Sequence, residues 1–359
     1  MPKYYSTFLD ALRFLAALVV FVGHFSQLGS IPRIAIEHDG VVVFFILSGY
    51  VIGYCAHERE RNLRQFAVAR AARVLSVAVP ALVLTMALDS MGARIDPHAY
   101  PNQFEFHKLY LYLPLFLGFL SELWFLKVSA FSNTPYWSLA YEVWYYAAFA
   151  SLFFLRGWRR ILAAPVIILL MGPKIWLLAP LWIAGYGLYR AHHEIALRRG
   201  PALVLMVLAI VGYGALKLAK IDLSLDDWAA AVSHGWTRQT LSGSQFFLGD
   251  YAKGMTIALL FFAAYYCLPA RVGAEPFAAP VRNAAEYTFS LYLFHFPILV
   301  FLSVVAPPSG NVLVELARLA AVTVIVLTLG GWCERSKKPL RRLFTRWVIP
   351  SPVLAASSG

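Results

Sequence analysis

The chain has 359 residues, 60% of them hydrophobic and only 14% charged, with a mean hydropathy of +0.64. That composition excludes a soluble globular protein and predicts an all-α polytopic membrane protein built from repeated apolar spans. The net charge of +12 does not imply nucleic-acid binding, because Lys and Arg gather in short loops and near the C-terminus, where they orient membrane helices.

The first apolar run, about 8–28, holds ionisable groups and has no small-residue cleavage site behind it. It reads as a helix that stays in the membrane, with Lys3 keeping the N-terminus cytoplasmic. A second helix, about 40–56, returns to an Arg-rich loop at 57–64, and a third, about 68–89, leads out again. The next basic loop is at 156–160. For both loops to be cytoplasmic, the apolar stretch 107–126 cannot cross fully. It is predicted as a re-entrant or interfacial segment on the outer side, interrupted by Pro114, Gly118 and Glu122. A helix at about 136–155 comes back in, and two short helices, about 160–172 and 174–190, pair tightly around Gly172-Pro173. A helix at about 201–219 exits to a long polar loop, about 220–250. Helices at about 251–269, 285–305 and 312–332 then complete about ten spans, followed by a basic cytoplasmic tail. The expectation is one integral-membrane domain over 1–346 and a short tail at 347–359. Cys55, Cys267 and Cys333 fit no metal or redox spacing and read as apolar packing residues. His192 and His193 read as a solvated pair, and no metal site or nucleotide-binding glycine motif is found.

Ionisable groups at bilayer depth are costly and mark candidate sites. Arg13 and His24 are eleven residues apart, about 20° from alignment on a helix and offset by about 16 Å along it. They share one face, with Asp10 a turn below Arg13 and able to pair with it. Glu142 is placed at the depth of His24, and His295 near the midplane, so that a histidine and a carboxylate meet at the outer end of a polar ladder. Arg70 and Arg73 stand a turn apart at the cytoplasmic mouth, two guanidinium forks suited to phosphates. Packing histidines, an interhelical ion pair at Glu142 and plain topological anchors at Arg70 and Arg73 are the competing structural readings.

Five stretches, in order, resemble acyltransferase family 3, the integral-membrane O-acyltransferases of bacterial surface polysaccharides. They are LDALRFLAALVVFVGH with Arg13 and His24; VVFFILSGYVI with Ser48; FAVARAARV with Arg70 and Arg73; NTPYWSLAYEVWYY with Trp137 and Glu142; and YTFSLYLFHFPI with His295. The resemblance implies ten core helices in a bacterial inner membrane, both termini cytoplasmic. It also implies transfer of an acyl group, most simply from acetyl-CoA as co-substrate, to a glycan or lipid-linked saccharide acceptor on the far side. No permanently bound cofactor is implied. His24 would be catalytic, as a general base or as the acyl carrier, and Glu142 would orient or polarise near it. Arg13, Arg70 and Arg73 would bind the donor, with Asp10, Ser48, Trp137 and His295 in support. Many relatives have a proline close behind the second arginine of R-x-x-R; here Pro80 follows Arg73 by seven residues. The competing function is a transporter or glycan-subunit carrier, against which stands the lack of repeated halves with broken helices.

Overall fold

The computed structural model describes residues 1–100 and 108–348. Among these there is no β-strand, and the chain runs through thirteen α-helices. They are α1 (Lys3–Leu28), α2 (Glu37–Glu58), α3 (Leu63–Ile95), α4 (Leu109–Leu117), α5 (Tyr136–Phe154), α6 (Gly157–Glu194) and α7 (Arg199–Leu218). Then follow α8 (Ile221–Val232), α9 (Trp236–Thr240), α10 (Phe247–Cys267), α11 (Glu275–Glu286), α12 (Thr288–Val305) and α13 (Val312–Val348). Eight helices among the described residues are long and apolar enough to cross a membrane. The expected number of about ten also counts α5, whose tyrosines and tryptophans lower its hydropathy, and counts α6 as two helices.

The break in α6 falls at Gly172 (φ 73°), where a β-carbon would lie 2.6 Å from Cα of Trp124. Only glycine fits that left-handed, crowded position. Trp176 Nε1 donates to the Ile168 carbonyl at 2.9 Å, although eight residues of straight helix rise about 12 Å, so the two halves fold back on each other. Just beyond the turn, Lys174 donates to Glu122 and to the Leu126 carbonyl, and both charged side chains are buried. The short α4 and the irregular chain behind it are thus pinned to protein at one end of the bundle, which is how non-helical backbone survives at membrane depth.

The second half of α6 packs along α2 with glycine at the crossing. A β-carbon at Gly49 would meet the Trp182 carbonyl oxygen at 1.9 Å, and one at Gly185 would meet that of Ile46 at 1.9 Å. Small residues let the two backbones approach, the usual device where apolar burial alone gives no drive between membrane helices. At the N-terminal end of α2, Asp39 accepts from Lys253 of α10 at 2.9 Å and pairs with Lys217 of α7 at 3.0 Å.

Three sequence expectations change here. The polar loop expected at 220–250 is mostly helical, because α8 folds Ala229, Ala230 and the acids Asp222 and Asp226 onto the bundle, leaving Ile221, Leu223, Trp228 and Val232 exposed. The basic tail does not leave the last span but continues it, and α13 runs unbroken to Val348. His192 is buried rather than solvated, 3.0 Å from the Tyr50 hydroxyl and stacked on Tyr265. The three cysteines are free and buried. Residue 107 of the expected re-entrant segment, with 101–106 before it, and 349–359 of the tail lie outside the described residues.

Candidate active site

A cavity of about 470 Å³ opens between α1, α2, α3, α5, α12 and the basic end of α13. Asp10, Arg13, Ser48, Arg70, Arg73 and Glu142 all line it. Arg13 Nη1 donates to Asp10 at 3.3 Å, the pairing expected from their spacing. Ser48 Oγ donates to Glu142 Oε1 at 2.7 Å, the Tyr146 hydroxyl donates to the same oxygen, and Trp182 Nε1 donates to Ser48 Oγ at 3.2 Å. Glu142 is therefore fixed by three helices. Arg70 is held at 2.6 Å by Glu60 on the loop before α3. The Arg73 guanidinium makes no hydrogen bond or ion pair among the described residues, and Arg13 Nε is buried without a partner. A set of cations not fully neutralised by its own walls suits an anionic ligand.

Four further cations of the mouth, Arg282 of α11 and Lys337, Lys338 and Arg341 of α13, were not singled out from sequence. Their signal was present as a Lys/Arg run, but such a run at the end of a span reads first as a topological anchor. Only the packing of α13 against α3 brings it to the cavity.

At the top of the cavity stands Tyr292, its hydroxyl 2.5 Å from Ser138 Oγ and its ring edge-on to Phe44. One turn further along α12 is His295. Its Nε2 lies 2.9 Å from Nδ1 of His24, and the ring of Phe296 closes on His24 at 4.8 Å. The two histidines, 271 residues apart in sequence, thus form a pair above the cavity and outside its walls. Glu142 is not level with them. It sits a turn below Ser138, and Ser138 is level with Tyr292, which puts the carboxylate about 10 Å below His295 along the helices. Counted from residue 136, where the sequence expectation begins the helix, Glu142 comes out too high, because Phe116 and Phe119 pack over the first turns of α5. Trp137 lies to one side, stacked on His38 at 5.8 Å, and His38 in turn bonds the buried Asp250 at 2.7 Å.

The family described as an acyltransferase domain, acyltransferase family 3, matches residues 6–334. The chain belongs to acyltransferase family 3. It is a multi-pass membrane acyltransferase, and the matched region takes in the histidine pair and the cavity lining as far as Glu334, with Lys337, Lys338 and Arg341 just beyond it. No curated protein and no solved structure matches the chain.

Proposed function

We propose that this family 3 acyltransferase moves an acyl group, acetyl in the simplest case, from cytoplasmic acyl-CoA to a hydroxyl of a surface or lipid-linked glycan. The observation that carries the reading is the arrangement along α1. Arg13 lies in a cation-lined cavity, and His24 stands about 16 Å above it on the same face. A donor with phosphates at one end and a reactive thioester at the end of a long arm spans such an interval. Arg73, with Lys337, Lys338 and Arg341, holds the phosphates, and Arg13 guides the arm. His24 acts as general base on the acceptor hydroxyl. Glu142, fixed by Ser48 and Tyr146, polarises the cavity below. In this reading both termini are cytoplasmic, the membrane is the bacterial inner membrane, and nothing is bound permanently.

The test is incubation of the purified protein, reconstituted in lipid, with radiolabelled acetyl-CoA and a glycan acceptor. Label on the glycan with release of free CoA thiol is the expected result. Movement of the glycan across the bilayer without acylation would instead make the chain a carrier.

A further inference from the structure

The two imidazoles differ in what they can do. His295 is fully buried, whereas His24 is half-buried, so only His24 can meet a substrate atom. The hydrogen bonds then assign the protons. Nδ1 of His295 lies 2.8 Å from the Leu291 carbonyl oxygen. A carbonyl only accepts, so this nitrogen carries the hydrogen, and in a neutral ring Nε2 is left bare. That bare nitrogen faces Nδ1 of His24 at 2.9 Å, which must be the donor. The lone pair of His24 is therefore on Nε2. The ring centroids are 5.1 Å apart and the planes 26° from parallel, which together with the short N···N distance places the rings edge to edge. A doubly protonated His295 would be a buried cation, and among the described residues no carboxylate bonds either ring, so that state is disfavoured.

We infer that His295 is a positioning residue for the transfer step. By accepting the Nδ1–H of His24 it fixes that ring in one tautomer and presents Nε2 as the base. This rests on the acyl-transfer reading above. In the step, Nε2 of His24 takes the hydrogen of the acceptor hydroxyl as its oxygen bonds to the thioester carbonyl carbon. The carbon–sulfur bond breaks, and the proton passes from Nε2 to the departing thiolate. While His24 carries the extra proton, its Nδ1–H bond to the bare Nε2 of His295 is charge-assisted and stronger.

The experiment compares acetyl transfer and acetyl-CoA affinity in His295→Gln, His295→Leu and His24→Gln. The amide oxygen of Gln reaches the place of Nε2 and still accepts; Leu accepts nothing but packs well in an apolar site. The expected result is that His295→Gln keeps activity within about tenfold. His295→Leu loses about ten- to a hundredfold in kcat with acetyl-CoA affinity unchanged. A packing residue reverses that order, so Leu equal to or better than Gln overturns the inference, while an inactive His24→Gln leaves the base reading standing. An active His24→Gln overturns both. If His295→Leu does not insert, nitrogen NMR of the ¹⁵N-histidine-labelled wild-type protein decides. A protonated Nδ1 and bare Nε2 on His24 support the inference, and the opposite tautomer refutes it.

Discussion

Asn133 donates its side-chain amide to the carbonyl of Leu293 at 2.8 Å. That carbonyl is free because Pro297, four residues on, has no N–H to offer it. The bond ties the stretch before α5 to the interior of α12, two residues before His295. It explains why an asparagine and a proline sit in two motifs 164 residues apart (297 − 133). Removing the donor in Asn133→Leu leaves a buried carbonyl unsatisfied and is expected to cost about 1–3 kcal/mol of stability. In a Pro297→Ala background the restored N–H takes up the carbonyl, so the same change costs less. Equal costs in the two backgrounds, measured by unfolding in detergent, would show that the residues are not coupled.

Arg70 and Arg73 are expected to behave differently. Arg70 is bound to Glu60, so Arg70→Ala strips a nearly buried carboxylate of its partner and lowers stability. Arg73, its guanidinium without a partner among the described residues, is expected to act on the donor. Arg73→Ala should weaken acyl-CoA binding about ten- to a hundredfold, the loss of one charge-assisted hydrogen bond, with the folded yield unchanged. Equal donor affinity in Arg73→Ala and wild type would return Arg73 to a topological role.

Asp226 on α8 gives a pH signature. Burial, and then the neighbouring Asp250, raise its carboxyl from the ordinary 3.8 to about 6, against the opposing pull of the Gly249 N–H. A carboxyl raised in the folded state holds its proton more tightly there than when unfolded. Its stabilising contribution is therefore full below about 4 and is lost as the pH rises through about 6. Asp226→Asn keeps an oxygen for the Gly249 N–H and removes the titration. Unfolding followed from pH 4 to pH 8 should show the variant gaining on wild type as the pH rises. A difference that does not change with pH would contradict this.

Within single helices the sequence was a sound guide. The Asp10–Arg13 pair, the shared face of Arg13 and His24, and the reversal at Gly172-Pro173 all follow from spacing and from the conformations glycine and proline allow. Relations between helices were not legible in the same way. Helical periodicity gives a side chain's face and its rise along its own axis, but neither the neighbour it meets nor the depth at which that helix begins. His24 was matched to Glu142 by counting from assumed surfaces, while its partner across the packed interface is His295. The Lys337, Lys338 and Arg341 run looked like a tail because its charges stop a hydropathy pattern, yet helix continues through it.

The role of His24 is the centre of the account, and His24→Gln tests it most directly. Gln keeps a hydrogen-bonding side chain of similar reach but cannot take up a proton near neutral pH. The measurement is kcat for acetyl transfer in reconstituted protein, alongside acetyl-CoA affinity and membrane level. The account expects a fall in kcat of at least about 10²-fold, within the usual worth of general-base catalysis, with donor binding and insertion near wild type. A fall of less than about tenfold would mean that the proton is taken elsewhere.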